Sequence, residues 1–305
     1  MEDNALSSLL NRITCGDCVQ LAQQLPDNSI DAVVIDPPYG ESQGYYGDSD
    51  IRTARTGLRR FLEVVEPKLK RNAHLAVFWT MRNLDVCIDD VKSVFTFSRV
   101  VTMYLPKGNA RPYLGWLPRT QAIVIGQKYF GGGQPSDFHY KLSSYLAQKL
   151  NESGLTRSEL ARILDCDSRL VMKWTRPGDP AWCLPTPRFY PKLKALLHLG
   201  DEFDFLETRE SAVHDRRKDF EYKHDCYIVD DKNEEMLHPA MKPLSVIKHL
   251  VECMCPTGGI VLDGFCGSGT TALAAKLTGR NFVCCDVSEK YCEIARRRLK
   301  NESNN

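Results

Sequence analysis

No run of apolar residues in this 305-residue chain approaches the length of a membrane span. That excludes a helical membrane protein. The start, Met1-Glu2-Asp3-Asn4, is acidic and polar rather than basic and apolar, so it does not read as a secretion signal and a cytoplasmic protein is expected. Strong charge of one sign is missing too. The net charge is +1, so any nucleic-acid binding must come from local patches rather than a global field. Arg52, Arg55, Arg59 and Arg60 form one such patch, and Arg216, Arg217 and Lys218 another. Either is equally an ordinary solvated face. No internal repeat or low-complexity segment is present. The hydrophobic fraction of 43% and charged fraction of 26% permit an ordinary globular core.

Cysteine is plentiful, at twelve residues, but paired knuckles in Gly-rich loops are lacking. Cys15-x-x-Cys18 and Cys253-x-Cys255 invite a zinc reading. Several of the others, such as Cys284-Cys285 in "NFVCCDV", sit in apolar runs where thiols act as small hydrophobes. No metal and no disulfide are therefore expected.

What is present is a succession of short apolar runs with helical patterns between them. Strands are expected at 12–17, 31–36, 74–79, 98–105, 121–128, 259–265 and 281–287, and a helix at 55–70. Strand, crossover helix, strand is the unit of a mostly parallel, doubly wound α/β sheet. After Gly131-Gly132-Gly133 the strand pattern stops for about a hundred residues, too long for a loop, which predicts an inserted helical module. Within it, 143–150 reads as a helix closed by Gly154. Thr156-x-x-Glu159 is a capping box that opens a second helix. A break at Asp165-Cys166-Asp167 precedes a short helix at 168–174, and 190–199 is one more. Two short helices across a three-residue turn make a helix-turn-helix pattern. Its Arg169, Lys173 and Arg176 are candidates for DNA phosphates or base edges. The bland alternative is a hairpin packed through Leu155, Leu160, Leu170 and Trp174.

Two stretches carry chemistry. "VVIDPPYG" ends an apolar strand on Asp36, Pro37, Pro38 and Tyr39. Neither proline has an N–H to donate, so the strand stops and an acid and a ring are fixed just beyond it. That is where open α/β sheets bind ligands. "DGFCGSGTT" (263–271) places Gly267 and Gly269 at a strand-to-helix turn, where the backbone can approach a ligand. It lacks the Gly-Lys-Ser/Thr of a phosphate loop and the G-x-G-x-x-G dinucleotide fingerprint. The next strand ends on Asp286, well placed for a ribose hydroxyl. This describes an adenosine site without a pyrophosphate cradle, hence S-adenosyl-L-methionine before NAD.

"DPPYG" (36–40), "HPAMKP" (238–243) and "DGFCGSGTT" together resemble the amino-methylating DNA methyltransferases, adenine-N6 in particular. The order, with the catalytic motif first, then the variable module and then the cofactor loop, is similar to the circularly rearranged beta class. The resemblance covers roughly residues 12–128 and 236–299. It implies a seven-stranded methyltransferase sheet, with a catalytic half over 1–130, a target-recognition region over 131–235 holding the helix-turn-helix-like segment 141–199, and a cofactor half over 236–305. It implies that Asp36 and the Pro37 carbonyl hold the target amine while Tyr39, fixed by Pro38, stacks on the flipped base. Asp263, Phe265, Gly267, Gly269 and Thr270 would form the cofactor loop. Asp286 would hold the ribose, Asp17 would lie beside the adenine ring, and His238, Pro239, Lys242 and Pro243 would close over the methionine end. Double-stranded DNA is the implied substrate, in restriction-modification or a related role, with a homodimer and a partner restriction endonuclease left open. The chain departs from the family pattern at Gly264, where proline is frequent, and at Ala240-Met241, where a polar pair is usual. A C5-cytosine enzyme would need a nucleophilic cysteine, usually in a Pro-Cys dipeptide, and the chain has none. N4-cytosine methylation, a DNA-binding regulator with a vestigial cofactor domain, and methylation of RNA or of a protein glutamine remain as alternatives.

Overall fold

The structure is a computed structural model. It describes residues 2–41, 48–105, 119–128, 135–179, 183, 185–186, 188–200, 226–229 and 241–301. The chain forms two compact units, one of Met1–Gly132 with Glu221–Asn305 and one of Gly133–Phe220.

The first unit is built on one sheet. Its strands are β1 (Arg12–Cys15), β2 (Ile30–Ile35), β3 (Leu69–Trp79), β4 (Thr96–Tyr104), β5 (Thr120–Gln127), β6 (Cys226–Ile228), β7 (Ile260–Asp263) and β8 (Asn281–Asp286). They lie in the order β1-β8-β7-β2-β3-β5-β4-β6. The five strands from β1 to β3 run parallel, β5 is antiparallel to both its neighbours, and β6 pairs parallel with β4. Eight strands are thus found among the described residues where seven are expected. The extra one, β6, has three residues, too few to show a period-2 signal.

Both faces of the sheet are buried, as the near-continuous apolar strands require. Along β2, Val33 and Ile35 point into one core and Ala32 and Val34 into the other. The first core is covered by α1 (Glu2–Leu9), α2 (Cys18–Gln23), α3 (Ile51–Val65) and α4 (Leu84–Lys92), the second by α9 (Leu244–Met254), α10 (Thr270–Leu277) and α11 (Glu289–Asn301). The adjacent cysteines of β8 divide the same way, Cys284 to one core and Cys285 to the other, as small apolar side chains would. Helix α3 begins at Ile51, where Asp50 caps it by accepting the N–H groups of Arg52 and Thr53. It ends at Val65 because Pro67 cannot continue the ladder, so the helix expected at 55–70 is shifted toward its N-terminus. Its Leu58, Phe61, Leu62 and Val65 are fully buried, each contributing about 1.5–3 kcal/mol of hydrophobic stabilisation. On the opposite side Arg52, Arg59 and Arg60 are exposed and Arg55 is half-buried. Arg55 and Arg59 both donate to the buried Asp90 of α4, and the "HDRRK" cluster lies outside the described residues.

The second unit is helical. It contains α5 (Pro135–Glu152), α6 (Arg157–Leu164), α7 (Ser168–Thr175) and α8 (Tyr190–Leu197). Thr156 and Glu159 form the capping box, and Asp165 ends α6 in the left-handed region at φ 53°. Leu142, Leu146 and Leu150 of α5, Leu160 and Leu164 of α6, and Val171 and Trp174 of α7 are buried. Arg157 at the start of α6 donates to both the hydroxyl and the carbonyl of Thr175 at the end of α7, which locks the two helices. On α7, Arg169 and Lys173 lie one turn apart and away from Val171 and Trp174, and Arg176 follows as the C-cap in extended backbone. Arg169 and Arg176 are exposed, and Lys173 is half-buried. Arg169 is held by Asp167 at 2.7 Å.

Candidate active site

Parallel pairing decides where the acids stand. Cys15 is in register with Asp286, Asp263 with Cys284, and Val33 with Leu262. Asp17, Asp286, Asp263 and Asp36 therefore leave four consecutive parallel strands, β1, β8, β7 and β2, at one carboxyl edge. This is the ligand edge of an open α/β sheet.

Asp36 and Tyr39 meet directly. The Tyr39 hydroxyl donates to Asp36 Oδ1 and accepts from Gln121 Nε2 at 2.5 Å. Lys242 Nζ donates to Asp36 Oδ2 at 2.5 Å. The Tyr39 ring is half-buried, with its centroid 5.4 Å from that of Trp79. Burial, followed by the neighbouring Asp36 charge, pushes the Tyr39 phenol well above its ordinary range. Pro37 and Pro38 supply no N–H, but the three residues after them do. Asp48 Oδ1 accepts from the backbone N–H of Tyr39 at 3.0 Å, Gly40 at 2.6 Å and Glu41 at 3.1 Å, which ties the corner down. Gly40 has φ +75°, and any Cβ there would fall 2.4 Å from the Ile51 backbone. Sequence reasoning missed Gln121, Trp79 and Asp48. Gln121 is the second residue of an antiparallel strand whose start lies at the carboxyl edge of its parallel neighbour, and that is visible only once β3 and β5 are paired. Asp48 has no local signal at all.

The glycine loop is held by the acids around it. Asp263 Oδ1 accepts from Phe265 N at 2.9 Å, Asp286 Oδ2 from Gly267 N at 2.9 Å, and Asp286 Oδ1 from Ser288 N at 2.9 Å. Gly269 caps α10 at φ +79°, where a Cβ would lie 2.7 Å from Ala295 Cβ. Thr270 accepts from Arg298 Nη1 at 2.9 Å. The same guanidinium reaches Ser268 O at 3.5 Å and Met241 Sδ at 3.8 Å, so Arg298 joins the loop to the segment before α9. Phe265 sits edge-on to Phe61, 5.5 Å between centroids. A Cβ on Gly264 would lie 2.8 Å from both Cys18 Cβ and the Phe61 ring, which is why proline cannot stand there. Asp263 is buried, and burial raises its carboxyl to about 7, against the lowering hydrogen bonds from Thr271 and Phe265.

Asp17 caps α2, accepting from Val19 N at 3.0 Å and Gln20 N at 2.9 Å. It is at the ligand edge, yet its Oδ1 has a structural task there. Pro243 is the residue before the first turn of α9. His238 and Pro239 lie outside the described residues.

Cys18 packs inward, its thiol pushed up to about 12 by burial, while Cys15 is exposed. Cys15 instead groups with Glu289 and Cys292, their ligand-type atoms all within 4.8 Å. Arg296 donates to Glu289 at 2.5 Å, placing positive charge where a metal cation would need negative charge. Cys255 is buried, and Cys253 Sγ lies 3.3 Å from His249 Nε2 on the same helix.

Residues 168–297 match the family model described as DNA methylase, of the N6/N4 type. The type II methyltransferase M1.MboII of Moraxella bovis is 24% identical over 288 residues, covering 94% of this chain and 95% of its own length. The type II methyltransferase M.HpaI of Haemophilus parainfluenzae is 22% identical over 96% of this chain and 75% of its own. Among solved structures, the M1.HpyAVI–SAM complex superposes with a TM-score of 0.53 at 16% identity, covering 94% of this chain and 98% of that one. The cytosine-N4-specific PvuII DNA methyltransferase gives 0.57 at 15%, covering 94% and 85%. The sheet and its helices thus have the fold of the DNA methyltransferases, and the chain is similar to the N6/N4 DNA methylases over residues 168–297 and to type II methyltransferases over nearly its whole length.

Proposed function

We propose that this protein is an S-adenosyl-L-methionine-dependent DNA methyltransferase that methylates the N6 amino group of adenine by direct transfer after base flipping. The observation that carries this reading is the placement of the Asp36–Tyr39 corner and the Asp263–Thr271 loop on neighbouring parallel strands at one sheet edge.

An exocyclic amine is a weak nucleophile because its lone pair is delocalised into the ring. Asp36 and the Pro37 carbonyl accept its hydrogens and stabilise the positive charge that develops on nitrogen. Tyr39 offers a ring against which a flipped base stacks. When bound, S-adenosylmethionine supplies a methyl group on a sulfonium. The loop fits such a cofactor. Glycines at 267 and 269 bring backbone close, and Asp263 is a buried carboxyl suited to a cationic ligand. Phe265, Thr270 and Asp286, with Asp17, His238, Lys242 and Pro243, complete the set proposed to hold it. The corner-first order of the chain supports the beta-class reading. The α6–α7 pair, with Arg169, Lys173 and Arg176 outward, supports a target-recognition role for the helical unit on double-stranded DNA. A second copy of the chain and a companion restriction endonuclease belong to the same reading.

In the family that the chain resembles, N4-cytosine members more often carry serine at this position, so Asp36 favours adenine. Digesting DNA methylated by the purified protein to nucleosides decides it. N6-methyladenine is expected, and N4-methylcytosine would transfer the mechanism to the other base.

The Asp263 carboxyl gives a pH test. With the site empty it holds its proton up to about pH 7, whereas a cationic cofactor favours the ionised form. Donor affinity is expected to weaken about tenfold between pH 8 and pH 6, one factor of ten per pH unit below the free-state value. Asp263→Asn should flatten that dependence in a binding titration, and an unchanged slope in the variant would remove Asp263 from the donor site. For folding the sign is reversed. Because the folded pKa lies above the unfolded one, this residue's contribution is largest below about pH 4 and falls until about pH 7.

A further inference from the structure

We propose that Lys242 is the positioning residue of the catalytic carboxylate, aiming Asp36 at the incoming amine, rather than only a contact for the methionine end of the cofactor. The inference rests on the methyltransferase reading above and deepens it. Lys242 stands 206 positions from Asp36 in the chain, in the segment leading into α9, yet its Nζ lies 2.5 Å from Asp36 Oδ2. Its side chain is 9% exposed, against 23% for Asp36. A lysine so withdrawn from water needs compensation. It has the Asp36 charge and two aromatic rings, with Nζ 5.5 Å from the Phe78 centroid and 5.7 Å from that of Tyr39.

The division of the carboxylate gives the contact its meaning. Tyr39 donates to Oδ1 and Lys242 to Oδ2, so one donor on each oxygen fixes the carboxylate plane. An ionised carboxylate has about four lone-pair directions, which leaves an acceptor direction on each oxygen for the base. The Tyr39 hydroxyl is itself held by Gln121, so the whole chain of donors is anchored. A positive charge beside a nitrogen that becomes positive does not assist the transfer by electrostatics. The benefit is orientation: an acceptor that does not have to be found by rotation.

The test uses the full-length protein, single-turnover methyl transfer to DNA at saturating donor, and donor titrations. Lys242→Ala is expected to slow transfer about 100-fold, of the order found for loss of one preorganised site group, and the loss is expected to persist at saturating donor, beyond any weakening of donor binding. Propylammonium, the fragment deleted, should restore at least about tenfold of that loss, while propanol should not. Lys242→Arg should retain more activity than Lys242→Gln, a comparison that stands if the alanine variant folds poorly. The proposal is overturned if Lys242→Ala transfers at the parent rate, if its whole defect is weaker donor binding, if propanol rescues as well as propylammonium, or if the arginine and glutamine variants are equal. A parent protein that methylates no DNA would overturn the functional reading together with this one. An active parent with an unaffected Lys242→Ala would remove this inference alone.

Discussion

Replacing Asp36 with alanine is expected to lower methyl transfer about 100- to 1,000-fold while leaving donor binding nearly intact. Asp36 is the acceptor at the end of β2, and the donor loop is held by other acids, Asp263 and Asp286. The substitution also strips Lys242 of its counter-charge. Breaking a buried pair from one side costs about 3–5 kcal/mol, less where, as here, one partner is partly in water. Thermal unfolding of the variant should therefore be followed beside its activity. Asp36→Asn separates the two effects. It keeps an acceptor oxygen of the same shape, so it should melt closer to the parent than the alanine variant and retain part of its rate. Folded Asp36→Ala protein that still methylates at the parent rate, or that fails to bind the donor, would contradict the assignment of the corner.

The second large effect is expected from the helical unit. Changing Arg169, Lys173 and Arg176 to alanine together should weaken DNA binding and reduce the steepness of its salt dependence by about two to three phosphate contacts, with donor affinity unchanged. Arg169 and Lys173 lie one turn apart on α7 and Arg176 caps its end, while the buried Val171 and Trp174 keep the helix packed in the variant. Arg169 is engaged by Asp167, but the pair is exposed on both sides and such pairs hold about 0–1 kcal/mol, so a phosphate can take the arginine over. If the triple variant modified the same sites with the same salt slope, α7 would not be the reader and the bland hairpin reading would stand.

Much of the fold was legible because it rests on apolar runs that bury both faces of a sheet. Ile30–Ile35, Ile260–Asp263 and Asn281–Asp286 announce themselves this way. Strand β6 does not, because three residues carry no period. Helix α3 was misplaced at both ends: Asp50 as a cap and Pro67 as a stop outweigh the helical pattern between them. At the candidate site, the residues marked by motif could be named from the chain alone. Those that hold the motifs in place could not. Asp48, Gln121 and Arg298 act across gaps in sequence, and only the paired strands and folded loop bring them to their partners. The arginines of α3 are divided in a way that spacing does not show: Arg55 and Arg59 close on Asp90, while Arg52 and Arg60 stay exposed.

Gly40 deserves a different kind of reading from its neighbours. With its left-handed backbone pressed on the first residue of α3, it admits no side chain. A saturation-mutagenesis map scored by activity would flag position 40 as sharply as position 36, although it presents no group to either reactant. Tolerance profiles of this protein would therefore trace the hinge-pin of the loop along with the chemistry, and separating the two requires a folding readout at every position of that corner.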